Sequence, residues 1–337
     1  MEVFAIAALG LAFLSVCFLV VLIVRRLILA RSDRQRAERQ EQLRPQALAI
    51  VHGDPVSLSD RIHSHVDATL FAELLSRYAR QLRGGSIERI AEFFERRGDV
   101  AEEVTHLRAR RPWRRASAAY ALGDMGSASA TPDLLRLLVE DDDRDVRNAA
   151  ARSLGRLGAT EAVPALVDAL VRTRIPRALA GQALAEIGPA SAPILVGLLE
   201  HDEPPIRAWA AELVGLLGSA GDAAAVSLRL KDTSAEVRER SARALGRLGA
   251  SSEAGALREA LADRVPGVRA AAAFGLGRLR DRSAVPALLA QANTDAFEPA
   301  QSAAHALSRI DERALLEAAE RPDAGPHLLE AADLAAL

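Results

Sequence analysis

The chain has one cysteine, Cys17, and one lysine, Lys231, among its 337 residues. A lone thiol has no partner for an intrachain disulfide and makes no Cys-based zinc site. Aromatic residues are only 4% of the chain although half of it is apolar, so a core has to be built from Ala, Leu and Val between closely spaced helices. Positive charge is nearly all arginine, and the formal net charge is −2. Nucleic-acid binders draw most of their affinity from a basic excess over the phosphates, and without one no nucleic-acid partner is expected. The histidines, His52, His63, His65, His106, His201, His305 and His327, form no ligand pattern, since even His63 and His65, two apart, fall on different faces of a helix. Gly275-Leu276-Gly277 lies in a repeated helical stretch and is no phosphate loop. No cofactor, metal or catalytic residue is called for.

What the chain does have is repetition. The stretch DRDVRNAAARSLGRLG, residues 143–158, recurs in near-copies whose anchor arginines are Arg115, Arg147, Arg177, Arg207, Arg238 and Arg269, at spacings of 32, 30, 30, 31 and 31 residues, and one further step of 31 reaches Ala300. Seven residues after each anchor stands Leu122, Leu154, Leu184, Val214, Leu245, Leu276 or Leu307. A period of this length signals a solenoid, in which each unit buries its apolar face against its neighbours. Each unit predicts two helices. The first has Leu at helical spacing, as in 132–140, 163–171 and 285–290, often entered through Pro132, Pro164 or Pro286. The second carries the anchor, is rich in Ala, and ends at Gly126, Gly158, Gly188, Gly218 or Gly249, where a left-handed residue can close it.

Before the repeats, residues 3–24, VFAIAALGLAFLSVCFLVVLIV, form an uncharged run whose helical length matches a hydrocarbon core of roughly 30 Å. Glu2 precedes it, and Arg25, Arg26, Arg31, Arg34, Arg36, Arg39 and Arg44 follow. That asymmetry predicts a single-pass anchor over residues 1–26 in the cell membrane, with the N-terminus outside and the remainder in the cytoplasm. A cleaved signal peptide would want basic residues before the run and small ones after it, and a lipoprotein box would want a small residue where Val16 precedes Cys17. Residues 27–60 read as an Arg-rich juxtamembrane stalk and linker, with Pro45 stopping any continuing helix. Residues 61–112 read as an N-terminal helical cap containing Leu70, Phe71, Leu74, Leu75, Ile90, Phe93 and Phe94, with Ser86 capping its second helix and Asp99 with Glu102 as a capping box for its third. Repeats occupy 113–320, and a closing helix occupies 321–337.

The pattern Leu-x-Asp, Val-Arg, Ala-Ala, Ala-Leu-Gly-x-Leu-Gly, best kept at 143–158, 231–249 and 263–279, resembles HEAT repeats of the bacterial type also found in phycobilisome lyase subunits. The resemblance covers about 113–320 and implies an all-α chain, an α-solenoid of helix pairs preceded here by the transmembrane helix. It also implies that Asp and Arg are structural, forming a ladder between successive units: Arg115, Arg147, Arg177, Arg207, Asp232, Arg238, Asp263 and Arg269, with Asp232 matched to Arg238 and Asp263 to Arg269. Ala300, Arg280 and Asp311 depart from the pattern, as terminal units commonly do. HEAT-like proteins that hydroxylate a lysine-derived side chain carry paired His-Glu dipeptides, whereas here His201-Asp202 stands alone. The run Glu140-Asp141-Asp142-Asp143 reads as a solvated inter-helix loop, with a cation site as its rival.

In arrays of this family the second helix lines the concave surface, and residues one, five and nine after each anchor share a face of that helix. Column five reads Tyr120, Arg152, Gln182, Glu212, Arg243, Phe274, His305, and column nine reads Asp124, Arg156, Glu186, Leu216, Arg247, Arg278, Arg309. Identity changes from unit to unit where packing would hold it fixed. Tyr120, Arg152, Trp209, Glu212, Arg243, Arg247 and Phe274 are therefore the candidate protein-binding residues, with Trp209 either an aromatic anchor or a filler of a local core gap. The expected function is a membrane-anchored scaffold, not an enzyme, that binds a protein partner, another membrane protein among the candidates. The alternative is a HEAT-type enzyme or enzyme subunit acting on a protein or prosthetic group, and a nucleic-acid clamp ranks third.

Overall fold

A computed structural model gives the architecture and describes residues 2–54, 65–79, 81–82 and 85–335. Among the described residues every regular element is helical. The chain divides into two compact units, residues 1–130 and 131–337.

The first unit comprises α1 (Glu2–His52), α2 (His65–Ala79), α3 (Gly85–Arg97), α4 (Asp99–His106) and α5 (Pro112–Met125). Contrary to expectation, Pro45 does not end the helix: α1 runs through it to His52. A proline inside a helix costs roughly 3 kcal/mol, but Leu43, Ala47 and Val51, one turn apart, are all buried. Each large apolar side chain so buried contributes roughly 1.5–3 kcal/mol, enough together to outweigh the lost backbone bond. Arg39 fastens the same helix to α2 by a bidentate pair with the buried Asp67 (2.7 and 2.9 Å). Phe71 meets Phe93 edge to face at 5.6 Å, and Phe93 meets Phe94 likewise. The stretch expected to be linker thus supplies part of the cap's core. Two capping expectations also change. Gly98, left-handed, is the N-cap of α4 while Asp99 pairs with Arg97, and Ser86 lies inside α3, accepting from Arg89.

Much of the apolar run 3–24 falls outside the residues whose side chains are described. Among the described residues no single helix is long and apolar enough to cross a membrane, so the expected anchor is without support there. One bent pair, Arg177–Ile187 with Pro189–Glu200, has the length and composition, but its Ala180, Ala183, Leu184, Leu195 and Leu199 are buried in repeat cores.

The second unit is built of helix pairs: α6 (Thr131–Glu140) with α7 (Arg144–Arg156), α8 (Val163–Val171) with α9 (Arg177–Ile187), α10 (Ala192–Gly197) with α11 (Pro204–Leu217), α12 (Ala223–Leu228) with α13 (Ala235–Leu248), α14 (Ala254–Ala260) with α15 (Pro266–Leu279), and α16 (Val285–Thr294) with α17 (Phe297–Ile310). Then α18 (Glu312–Ala319) and α19 (Pro326–Ala335) close the array against α17. In α7 the buried set Val146, Ala149, Ala150, Ser153 and Leu154 marks one face, met by Leu134 and Leu138 of α6, as a repeat needs if its core is shared with neighbours. The terminal glycines mostly adopt the left-handed conformation, Gly158 at φ 63° and Gly249 at φ 71°. Gly218 instead has φ −76°, and what excludes a side chain there is the Val214 carbonyl, 2.6 Å from where a Cβ would lie. Arg280 takes the left-handed place without a glycine, at φ 54°.

A glycine seam sets the distance between second helices. A Cβ on Gly155 of α7 would lie 2.6 Å from the Ala183 Cα of α9. Gly215 of α11 faces Ala244 of α13, and Gly246 of α13 faces Gly275 of α15, each at the same 2.6 Å, while Gly277 of α15 faces Ala306 of α17 at 2.9 Å. The backbones are in contact, which is why a chain with few aromatics still fills its core. The step from α9 to α11 lacks this device: Ala185 stands at the glycine's place and is exposed, and the ring of Trp209 lies across Gly181, its Nε1 3.5 Å from a Cβ there.

Candidate functional site

Two faces of the second helices carry the residues singled out by sequence. On the first, the anchor arginines organise the loops before their own helices. Arg207 donates from Nη1 to the carbonyls of His201 and Asp202 (2.8 and 2.9 Å), and Arg238 does the same to Asp232 and Thr233 (2.9 and 3.3 Å). The other edge of each guanidinium reaches the next unit. Arg207 grips Asp232 through two bonds of 2.8 Å, Arg238 grips Asp263 at 2.7 and 3.0 Å, and Arg269 grips Asp295. The matching of Asp232 to Arg238 and Asp263 to Arg269 is therefore corrected. The charge pair links Arg207, Arg238 and Arg269 each to the aspartate one unit on, while within its own unit Arg238 meets Asp232 through the backbone carbonyl alone. A rigid fork presents donors on two edges, which lets one arginine serve both loops.

Each aspartate also accepts the N–H two residues on or, in the last case, one: Ser234, Val265 and Ala296. The arginine bond holds the carboxyls of Asp263 and Asp295 below the usual range against the opposing effect of burial. At Asp232 burial is the largest influence and pushes upward, but the bonds from Arg207 and Ser234 together prevail and the net shift is down. The three arginines are raised, by their aspartate bonds first.

Earlier steps are different. Arg147 holds the carbonyls of Asp141 and Asp142 (2.8 and 2.7 Å) and crosses to the carbonyl of Arg174 (3.3 Å) in place of a carboxylate. Arg115 holds those of Ala109 and Arg110. Arg177 is exposed at the start of α9 and takes no part; the place of the next aspartate holds His201, whose Nδ1 accepts from the Glu203 N–H. Asp295 was missed because it follows Asn293-Thr294 and not the Leu-x-Asp pattern. The acidic run belongs to its loop: Asp143 caps α7 through the N–H groups of Asp145 and Val146, and Asp141 accepts from Asp143. Among the described residues no three His, Cys, Asp or Glu side chains gather as metal ligands.

On the second face, α11, α13 and α15 pack one on the next and hold Trp209 and Glu212, Arg243 and Arg247, and Phe274. Trp209, Glu212, Arg243 and Phe274 are half-buried and Arg247 is exposed. Glu212 accepts from Arg240 of α13 at 3.1 Å, and Arg243 pairs with Glu239 at 3.2 Å and reaches Glu298 of α17 at 3.8 Å. Leu216, 56% exposed, stands beside this row. Arg152 is exposed on α7, and Tyr120 is exposed on α5 of the first unit. Arg240, Glu239 and Glu298 were passed over, although Arg240 occupies the same column as Trp209, two after the anchor.

A model of HEAT repeats matches residues 104–185, 173–246, 194–274, 223–308 and 254–335. Among solved structures, the complex of CpcE and CpcF of phycocyanin lyase from a Nostoc species is similar at 23% identity, over 70% of this chain and 93% of that one, with a TM-score of 0.35. Human deoxyhypusine hydroxylase is similar at 20% identity, over 82% of this chain and 98% of that one, with a TM-score of 0.33. These likenesses concern the fold. No curated protein matches.

Proposed function

The chain belongs to the HEAT-repeat family, since successive matches run from residue 104 to 335, and from that premise we propose that it is a scaffold binding a protein partner through the open face of α11, α13 and α15. The fold hosts enzymes as well as scaffolds, and what favours a scaffold is the contrast between the two faces. On one, the same arginine-to-aspartate grip is made at three successive steps, from Arg207, Arg238 and Arg269, with side chains 5–18% exposed, as suits a structural element. On the other, Trp209, Glu212, Leu216, Arg243, Arg247 and Phe274 differ at equivalent positions and remain reachable by solvent. Two aromatics and two arginines among them, on adjoining rigid helices, are of the types enriched at interface centres.

The reading includes a tether. Residues 3–24 span the cell membrane and the repeats lie on its cytoplasmic side. Support comes from the apolar run with its following arginines, and from Phe18, Leu19, Leu22, Ile23 and Val24, which are exposed on α1. Release of the full chain from membranes by alkaline carbonate would remove the tether from the proposal.

The test of the binding face compares full-length protein with the Glu212→Ala, Arg243→Ala double variant in affinity capture from detergent extracts. Their ion pairs are half-exposed and worth at most about 1 kcal/mol each, so melting changes little. Loss of an arginine at an interface centre costs about 2 kcal/mol or more, so recovery of the partner falls more than tenfold. Equal recovery from both proteins would refute the assignment of this face.

A further inference from the structure

The loop between α4 and α5 has the same construction as the repeat loops and the opposite charge. Arg115 clamps it through the carbonyls of Ala109 and Arg110 (3.0 and 3.3 Å), as Arg147 clamps Asp141 and Asp142 and Arg207 clamps His201 and Asp202. At the five-before and four-before positions the α6–α7 loop has Asp142 and Asp143 and the α10–α11 loop has Asp202 and Glu203, whereas here stand Arg110 and Arg111. Arg108, Arg110, Arg111 and Arg114 are all exposed, and among the described residues none of them has an acidic partner. Between them Trp113 is 61% exposed, with the Arg114 guanidinium over its ring at 5.3 Å. The other tryptophan, Trp209, is by contrast half-buried with its ring against Gly181.

We propose that this loop docks on an anionic lipid surface, its arginines on the headgroups and the Trp113 ring at the level of the headgroup–acyl boundary. Trp has an apolar body and a polar N–H, which suits it to that boundary, and arginine stems can bury while their heads stay with the phosphates. The clamp by Arg115 fixes the loop backbone, so little order has to be gained on contact. Lipid is favoured over nucleic acid because the same unit exposes Phe18, Leu19, Leu22, Ile23 and Val24 followed by exposed Arg25 and Arg26. The choice of lipid rests on the membrane part of the preceding reading.

The test uses the full chain with Trp209→Phe, which leaves Trp113 as the sole tryptophan. It is mixed with vesicles of phosphatidylcholine, with or without phosphatidylserine, in which part of the phosphatidylcholine is brominated just below the headgroup. Flotation with neutral vesicles reports the tether; quenching of Trp113 reports the loop. Quenching should be strong with phosphatidylserine and weak without it. Each cationic side chain near such a surface is worth about fivefold in affinity, so Arg110→Gln, Arg111→Gln and Arg114→Gln together should weaken quenching on the order of 100-fold in lipid concentration, while the triple Lys variant keeps it. Unaltered melting of the Gln variant shows that it is folded. Failure to float on neutral vesicles with arginine-dependent quenching on anionic ones would remove the tether and retain the loop. Equal quenching in both vesicles, none in either, or quenching by a single-stranded oligonucleotide but not by anionic vesicles would overturn the lipid assignment.

Discussion

Replacing Arg238 by Ala tests the ladder at the most buried of its three aspartate-gripping arginines. The Arg238 side chain is 7% exposed and that of Asp263 13%, and the substitution removes four hydrogen bonds at once, two to Asp263 and one each to the carbonyls of Asp232 and Thr233. Asp263 keeps the Val265 N–H but loses its counter-charge in a largely dry position. Removing one member of a buried pair costs about 3–5 kcal/mol, much of it the penalty of stranding the other charge. For a unit of this size 1 kcal/mol shifts melting by about 2–4 °C, so calorimetry of the full chain should show the second unit melting roughly 6–20 °C lower. Arg238→Lys should recover only part of this, because an ammonium cannot hold two carboxylate oxygens and two carbonyls in one plane. Arg177→Ala is the control: the same alignment position, exposed and outside the ladder, with a change within about 0.5 kcal/mol. Equal melting of Arg238→Ala and Arg177→Ala would refute the claim that charge pairing between units carries stability. A double variant removing Asp263 as well should be less destabilised than the sum of the singles.

Gly215→Ala puts a methyl group 2.6 Å from the Ala244 Cα and should cost about 1–3 kcal/mol by overpacking, whereas Gly197→Ala, with open space around it in an α-helix, should be neutral or gain up to about 1 kcal/mol; reversal of that order in thermal melts would sink the seam. The carboxyls of Asp232, Asp263 and Asp295 are lowered in the folded chain, so their contribution is complete above the unfolded carboxylate value of about 3.9 and is lost as pH falls through their lower folded values. Denaturant midpoints followed from neutral to acid pH should therefore fall less steeply in the Arg238→Ala variant, and parallel curves would count against the pairs.

The repeat register, the two helices per unit, the arginine at the head of the second helices up to Arg269 and the all-α class were legible because period and helical spacing are local properties of the chain. So was the outward side of columns five and nine, half-buried or exposed from unit to unit, since each lies two residues from the buried seventh position and so falls off its face. The partner of each arginine was not legible. Asp232 lies six residues before Arg238 and 25 after Arg207, and sequence distance favoured the wrong one; only the stacking of units, which brings the following loop over the guanidinium, decides for Arg207. The continuation of α1 through Pro45 was hidden for a related reason. Local propensity condemns the proline, and the burial of Leu43, Ala47 and Val51 that overrules it exists only once α2 and α3 are in place. Gly155, Gly215, Gly246 and Gly277 looked like ordinary members of a small-residue pattern, and their necessity comes from a neighbouring backbone that is remote in sequence. Periodicity determined what each unit is, and contacts between units, which no single repeat contains, determined which charges meet and how closely the helices approach.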